Sequence, residues 1–207
     1  MKKFISVFMT TIILVMSVSC VNAFAQEQTK TDKWLESDAK NEIEFTIRDF
    51  GDSSSNGYHY YLKNNKICIK KTVQITDYFS VEIKIIYDSK NLYILFSDFP
   101  YFYFKYPANE ITDILTNDDY SIQELEFAGS IEKEILSKTY TVEEFKNEKG
   151  EFVKYYFSED TLNRSDFCFF DEEGNKRHMT MDIKSYNVNE QEFKIPWYSL
   201  CIYLPAL

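Results

Sequence analysis

The stretch VEIKIIYDSKNLYILFSDFPYFYFKY, Val81 to Tyr106, decides the fold class of this chain. Val81, Ile83 and Ile85 alternate with charged side chains, which is the period of a strand with one buried face. Turn-forming residues follow from Asp88 to Asn91, and a second apolar run comes directly after them. A parallel return needs a crossover of about a dozen residues or more, so this short connection predicts antiparallel neighbours.

The same alternation recurs on both sides of this stretch, in Lys66 to Ile75 and in His178 to Lys184. Short turn signals separate these runs at Asn64-Asn65, Asp88 to Asn91, Asn147 to Gly150, Ser158 to Asp160 and Glu172 to Asn175. The sequence therefore predicts a mainly β (α+β) fold built as an antiparallel meander. Trp34, Leu35, Asp38 and Ala39 are expected to belong to a short helix before the first strand.

Six aromatic rings crowd the segment from Ser97 to Tyr106. Alternation places Phe102, Phe104 and Tyr106 on one face and Tyr101 and Tyr103 on the other. Phe102 and Phe104 suit the deep apolar layer, whereas Tyr101 and Tyr103 keep a hydroxyl that suits a rim or the opposite face. Two interpretations stay open: a strand buried on both faces, or the floor of a groove for a lipid or another apolar ligand.

After Pro107 the spacing predicts a short helix over Ala108 to Asn117, which would lie across the sheet and cover one face. A groove between this helix and the sheet would be lined by side chains from the helix and from two strands. We therefore expect ligand-binding residues at Tyr93, Leu95, Tyr101, Tyr103, Ile111, Ile114 and Leu115.

The N-terminus has the order of a secretory signal peptide: two lysines, an apolar run from Phe4 to Val18, and the Ala23-Phe24-Ala25 cleavage pattern. We expect cleavage after Ala25 and secretion to an extracytoplasmic compartment, without a stable membrane span afterwards. The alternative is a lipoprotein anchored at Cys20. The predicted organisation is a signal peptide at 1–25, an N-terminal leader with a short helix at 26–42, and one β domain at 43–207.

The chain is acidic, with a net charge of −10, and loss of Lys2 and Lys3 with the leader makes it more so. Nucleic acid and anionic membranes repel such a protein, so we expect neither as a partner. Three cysteines follow the leader, Cys68, Cys168 and Cys201, which allows at most one disulfide and leaves its pairing open. The expected oligomeric state is a monomer.

Catalytic and metal-binding patterns are missing from the sequence. The two histidines, His59 and His178, have no partner at metal-ligand spacing, and no nucleophile elbow or phosphate loop occurs. The acidic groups Asp118-Asp119, Glu143-Glu144 and Asp171 to Glu173 have the arrangement of turns and solvated surface. We predict a protein that is not an enzyme and that uses no catalytic residue, metal or cofactor.

Short sequence motifs that resemble those of a known family lie in the C-terminal half and in the strand–turn–strand unit Tyr87 to Ile94. Together these segments, from about Ile43 to Pro196, resemble the outer-membrane lipoprotein carrier (LolA/LolB-like) superfamily and its Gram-positive exported relatives. The C-terminal motifs are Tyr140 to Phe145, Asn147 to Gly150, Val153 to Phe157, Leu162, Asp171 to Gly174, Ile183 to Tyr186 and Glu192 to Pro196. The resemblance implies an incomplete β-barrel with short helices covering one face, and an apolar concave surface that shelters acyl chains.

The tail Trp197 to Leu207 departs from that family, because it is longer and more apolar than the segment that usually follows the Ile-Pro pair. Trp197, Leu200, Ile202 and Leu204 either pack over one end of the sheet or plug an apolar groove.

The first functional hypothesis is an extracytoplasmic, non-catalytic binding or carrier protein for a lipid, an acyl chain or a lipidated protein. The alternative is a secreted surface protein that binds a protein or glycan partner through exposed tyrosines, near Tyr58, Tyr60 and Tyr61.

Overall fold

The computed structural model describes residues 28–50, 57–76, 78–107, 125–171 and 173–203, and most of them belong to the strands of one sheet. One α-helix, α1 (Lys30–Glu36), precedes the sheet, and short 3-10 turns occupy Asp38–Asn41 and Glu190–Phe193. The strands in chain order are β1 (Glu42–Asp49), β2 (Tyr58–Lys63), β3 (Lys66–Thr76), β4 (Phe79–Tyr87), β5 (Asn91–Phe96), β6 (Phe102–Pro107), β7 (Glu126–Ile135), β8 (Lys138–Lys146), β9 (Phe152–Ser158), β10 (Thr161–Phe170), β11 (Lys176–Ser185) and β12 (Leu200–Tyr203).

Two antiparallel meanders, β1 to β6 and β7 to β11, contain every strand of this sheet except β12, and they join where β1 pairs with β11. The order across the sheet is β12-β6-β5-β4-β3-β2-β1-β11-β10-β9-β8-β7. The predicted mainly β fold with antiparallel meanders is confirmed. The sheet is not closed within the described residues, since β12 and β7 form its two edges.

Local turn chemistry explains why neighbouring strands pair as they do. Asn64 and Asn65 both have positive φ angles, 48° and 63°, which is the backbone of the two-residue hairpin turn that matches strand twist. Gly150 and Gly174 also have positive φ, 84° and 77°, in the β8–β9 and β10–β11 turns. These turns lie where the Asn, Asp and Gly clusters of the sequence predict them.

Pairing register sorts the side chains into two faces, because residues directly opposite each other on neighbouring strands point the same way. We call the side that carries Phe45 and Met181 face 1, and the side that carries Tyr61 and Cys68 face 2. One row of apolar residues crosses face 1 from β11 to β12 through paired positions: Ile183, Phe45, Tyr60, Ile69, Ile85, Ile94, Phe104 and Ile202.

The main core lies on face 1 around β1, β2 and the second meander. Phe45, Phe157 and Met181 are at most 1% exposed, and Trp34 and Leu35 of α1 pack against this core. A smaller core lies on face 2, where Val188, Phe193 and Ile195 of the segment after β11 pack over Tyr61 and its neighbours. The helix covers part of face 1, and the helix expected at 108–117 lies outside the described residues.

The described part of the C-terminal tail does not pack over an end of the sheet, which is one of the two arrangements expected for it, and Leu204 lies outside the described residues. Leu200–Tyr203 forms β12, which lies beside β6 and runs parallel to it. Trp197 and Leu200 remain 93% and 73% exposed. The tail therefore extends the sheet by one strand, because its backbone groups pair with β6 while its large side chains stay in water.

Candidate functional site

The candidate site is the part of face 1 formed by β4, β5, β6 and β12. We call it the apolar floor, and its members are Ile85, Ile94, Phe96, Phe102, Phe104, Leu200 and Ile202. The rings of Phe96, Phe102 and Phe104 contact one another in tilted or edge-on geometry, with centroids 5.9 to 6.4 Å apart. These are ordinary geometries for packed aromatic pairs.

The floor is more exposed at β12 than at the border of the main core. Ile69, at the border of the main core, is 3% exposed, whereas Ile202 is 39% exposed and Leu200 is 73% exposed. The three phenylalanines between these limits are half-buried. The floor is therefore an apolar surface continuous with the core, where burial by a ligand would still gain free energy, about 25 cal/mol for each Å².

This arrangement corrects the expected depth of Phe102 and Phe104. The sequence predicted that they would belong to the deep apolar layer, but both are half-buried. The reason is their position near an edge of the sheet, since only β12 lies beyond β6. Alternation told apart the two faces of β6 but could not show which face the rest of the chain covers.

Three of the sequence-predicted site residues, Tyr93, Leu95 and Tyr103, come together on face 2. They pack with Val188, Phe193 and Ile195, and Leu95 is only 5% exposed. These side chains lie on the opposite side of the sheet from the apolar floor.

Polar contacts hold the two tyrosines of this cluster in place. The Tyr93 hydroxyl donates a hydrogen bond of 3.0 Å to Asp88. Burial and this hydrogen bond raise the pKa of Tyr93 to about 12. A hydrogen bond with the thiol of Cys201 raises the pKa of Tyr103.

The remaining predicted site residues do not join this cluster. Tyr101 lies in the turn before β6 and is 71% exposed. Ile111, Ile114 and Leu115 lie outside the described residues.

Exposed rings concentrate at one end of the sheet. The β3–β4 and β5–β6 turns lie at this end, and β12 begins there because it is parallel to β6. Tyr78 and Trp197 are 99% and 93% exposed. We call the exposed aromatic and apolar residues at this end the aromatic end: Ile75, Tyr78, Phe79, Phe99, Tyr101, Trp197 and Tyr198. Turns at the opposite end include the polar pairs Asn64-Asn65 and Glu159-Asp160 and the exposed Leu136 of the β7–β8 turn.

The tyrosines expected at an exposed patch lie elsewhere. Tyr60 is 2% exposed and Tyr61 is 7% exposed, because β2 is a central strand with both faces covered. Tyr58 is half-buried and lies under the ammonium group of Lys71, whose Nζ is 4.0 Å from the ring centroid. The prediction of an exposed patch at these three residues was wrong.

The densest polar network of the described residues lies on face 2 of β9, β10 and β11. Asp166 accepts hydrogen bonds from the Tyr156 hydroxyl at 2.7 Å, Arg164 Nε at 2.9 Å and the Thr180 hydroxyl at 3.0 Å. Burial and the bond to Asp166 raise the pKa of Tyr156. Every member has a partner within the network, which is how a structural polar cluster is stabilised.

The histidines occupy separate places. His59 Nε2 lies 2.9 Å from a carboxylate oxygen of Glu44, and its ring stacks on Tyr61. His178 is exposed between the rings of Phe50 and Phe152. No group of three metal-capable side chains occurs in the described ranges.

Comparisons with known proteins add little to this geometry. No family model matches the chain, and no curated protein matches it either. A solved structure that resembles it is described as an uncharacterized conserved protein from Thermus thermophilus. The two share 11% sequence identity and a TM-score of 0.44, over 81% of this chain and 94% of that one. A likeness this distant carries no argument about fold or function. Across the residues that the structure describes, no helix is long and apolar enough to cross a membrane.

Proposed function

We propose that this chain is an extracytoplasmic, non-catalytic binding or carrier protein for an acyl chain, taken up as a lipid or as part of a lipidated protein. The observation that carries the proposal is the apolar floor. It is a contiguous apolar surface, continuous with the core, that remains partly exposed between Ile94 and Leu200. The resemblance to the lipoprotein carrier superfamily and the signal-peptide pattern ending at Ala25 agree with this function.

The floor suits an acyl chain because its members offer surface without a directional polar group. Phe96, Phe102 and Phe104 present ring edges and faces, and Leu200 and Ile202 continue the surface onto β12. Each buried CH₂ group of a ligand contributes about 0.8 kcal/mol, so affinity grows with chain length. The mechanism is shelter of the chain from water, and no bond is made or broken.

Native mass spectrometry of the protein purified from its own host tests for a bound acyl chain. The expected result is a protein mass accompanied by one or more lipid masses that are lost on delipidation. A fluorescent fatty acid should then bind the delipidated protein and be displaced by unlabelled fatty acids, with longer chains competing better. Ligand-free protein that also fails to bind the fluorescent probe would contradict the proposal.

A pair of charge substitutions locates the binding surface. Phe102→Glu places a carboxylate in the middle of the floor, and we expect about tenfold weaker probe binding or more, because an acyl chain cannot solvate that charge. Leu136→Glu is the matched control, because Leu136 is 98% exposed in the β7–β8 turn, far from the floor. Equal effects of the two variants would place the probe elsewhere.

The second candidate function rests on the aromatic end. The exposed aromatic side chains of the β3–β4 turn, of the β5–β6 turn and of the segment before β12 lie at the same end of the sheet. Tyrosine and tryptophan are enriched in protein interfaces. The chain would then be a secreted surface protein that binds a protein or glycan partner. Loss of partner binding in a Tyr78→Ser, Trp197→Ser double variant, with fatty-acid binding retained, would support this function over the carrier.

A further inference from the structure

The two edges of the sheet differ in how they are protected from pairing with another strand. The edge strand β7 carries Glu132, Lys133 and Glu134 and has a register irregularity between Phe127 and Gly129. Charged side chains and bulges are the usual means by which natural sheets prevent edge-to-edge association. β12 reads Leu-Cys-Ile-Tyr, has no charged residue and shows a regular register with β6.

The outer edge of β12 also presents backbone groups that no other described strand pairs with. The amide N–H of Leu200 donates to the carbonyl of Tyr101 at 2.8 Å, so Leu200 and Ile202 direct their backbone groups towards β6. Because these directions alternate along a strand, the N–H and C=O groups of Cys201 and Tyr203 point away from the sheet. All four side chains of the strand are exposed.

We propose that β12 pairs with β12 of a second copy of this chain, antiparallel and around a two-fold axis at Ile202. In this register the outward groups of Cys201 meet those of Tyr203 in the second copy, and the reverse pair forms by symmetry. All four main-chain hydrogen bonds then use groups of β12 itself. This pairing replaces the monomer expected from the sequence, and it goes beyond the proposed acyl-chain function.

The distribution of charge favours association of two copies through the β12 edge. The chain has a net charge of −10, so two copies repel each other over most orientations. The strand and the residues that lead into it, Trp197 to Ser199, are uncharged, which lets two copies approach here without opposing carboxylates. Pairing of β12 with β7 of a second copy would leave a free β12 at one end and a free β7 at the other, so the same contact could repeat into a filament. The two-fold pair uses the β12 edges of both copies and therefore closes.

The two-fold pair would also extend the apolar floor. Ile202 lies directly opposite Phe104 on face 1, and in the proposed register it faces Ile202 of the second copy on the same face. The floors of the two copies would then form one continuous surface across the axis. A four-residue strand makes a small interface compared with the roughly 1,200 Å² of stable complexes, so we expect a concentration-dependent dimer.

Sedimentation velocity over a wide concentration series tests the dimer. The wild-type protein should shift from monomer to dimer as concentration rises. Ile202→Glu puts two carboxylates directly opposite each other at the axis, and it should remain monomeric at every concentration. Ile131→Glu, on the exposed face of the β7 edge, is the matched control and should dimerise as the wild type does. A wild type that is monomeric throughout, or a dimer lost only in Ile131→Glu, would overturn the proposal.

Cross-linking tests the register without relying on a charged variant. Opposite residues in a non-hydrogen-bonded antiparallel pair have Cα atoms about 4.5 Å apart, within the range that a disulfide spans. Ile202→Cys in a Cys201→Ser background should therefore form a disulfide-linked dimer under a mild thiol oxidant. Ile131→Cys in the same background should not, and equal cross-linking of the two variants would overturn the register. Fatty-acid binding by the wild-type protein, measured at concentrations where sedimentation shows only monomer, separates failure of the dimer from failure of the carrier function.

Discussion

Glu143 is a buried carboxylate that fastens the N-terminal helix to the sheet. It is 4% exposed and lies on face 1 of β8. Its two oxygens accept hydrogen bonds from the backbone N–H groups of Lys30 and Thr31, each at 2.8 Å, and from the Thr31 hydroxyl at 2.7 Å. The first amides of a helix have no partner within the helix, so this one side chain satisfies two of them. Trp34 follows on the same helix and seals the main core.

Glu143→Gln should therefore destabilise the protein by about 1 to 3 kcal/mol, because the amide NH₂ would face donors that need an acceptor. The measurement is the free energy of unfolding from urea titration. Glu144→Gln is the control: the neighbouring carboxylate points to face 2, where it forms a half-exposed ion pair with Lys154 at 3.1 Å. Loss of this ion pair should lower the free energy of unfolding by about 0 to 1 kcal/mol. Similar losses of unfolding free energy in the two variants would mean that the hydrogen bonds between Glu143 and helix α1 stabilise the protein no more than an exposed ion pair does.

At the scale of the elements, the β4–β5 hairpin shows how one side chain fixes a turn. Asp88 accepts hydrogen bonds from the backbone N–H groups of Lys90 and Asn91, at 3.0 and 2.8 Å, and from the hydroxyl of Tyr93. Ser89, the residue after Asp88, has a φ of 67°, which is uncommon for a residue other than glycine. The hydrogen bonds of Asp88 stabilise this turn conformation. Although burial alone would raise the pKa of Asp88, these hydrogen bonds lower it below the usual value.

This shift makes part of the stability depend on pH. The folded protein binds the Asp88 proton more weakly than the unfolded chain, whose aspartates have a pKa of about 3.9. The contribution is therefore complete above that value and is lost as pH falls towards the lower pKa of the folded state. Asp88→Asn should lower the free energy of unfolding by about 1 kcal/mol at neutral pH. The variant should also lose less stability than the wild type on acidification below about pH 4.

Urea titrations at a series of pH values measure this effect. Lys90→Gln is the control, because it changes an exposed side chain of the same turn and leaves the carboxyl group of Asp88 in place. It should keep the wild-type pH dependence. Identical acid-side profiles for Asp88→Asn and the wild type would show that the Asp88 hydrogen bonds do not favour the ionised form.

The elements that the sequence predicts correctly are those whose conformation is determined by their own residues. Asn64-Asn65 and Asp88 to Asn91 carry their turn chemistry in the residues themselves, and the alternation at Val81 to Ile85 follows from the period of two by which successive side chains of a strand point to opposite faces. The burial of Tyr60 and Tyr61 has no such local cause. It depends on β2 being a central strand and on the segment around Val188 crossing face 2, and neither fact can be read from the strand's own residues.

The candidate site was predictable only in part for the same reason. The sequence of β5 and β6 indicates a large apolar surface, but three of the seven expected ligand-binding residues, Tyr93, Leu95 and Tyr103, lie on face 2. The open surface lies on face 1 because the C-terminal segment covers face 2. The parallel pairing of β12 with β6 joins parts of the chain far apart in sequence, and hydrophobic periodicity carries no information about such pairs.

At the scale of the whole molecule, the β1–β11 seam joins the two meanders into one sheet. Met181 lies at this seam opposite Ile47 and Ser165, and it is fully buried. The main core on this face includes residues from both meanders, such as Tyr60 and Phe157. The two halves therefore share one core, and we expect them to unfold together.

Met181→Ala should lower the free energy of unfolding by about 2 to 5 kcal/mol, because it leaves a cavity in the shared core. Far-ultraviolet circular dichroism and aromatic fluorescence should report the same urea midpoint, both in this variant and in the wild type. Ile131→Ala, at a position 64% exposed on β7, should cost less than about 0.5 kcal/mol. Two separate transitions in Met181→Ala would show that the meanders are independent units.

The same seam has a consequence for the speed of folding. Strands β1 to β6 can pair in succession as the chain is made, each with the strand just before it. The second edge of β1 pairs with β11, which is among the last strands to be made, so this edge stays unpaired until late. Such long-range closure is slow, since much chain entropy is lost before the contact forms. During that delay the alternating apolar segment Ile43, Phe45 and Ile47 has an unpaired edge, which is the kind of surface that aggregates. Newly made chains should thus be most vulnerable while β1 waits for its partner, and a chaperone that shields this strand would raise the yield of folded protein.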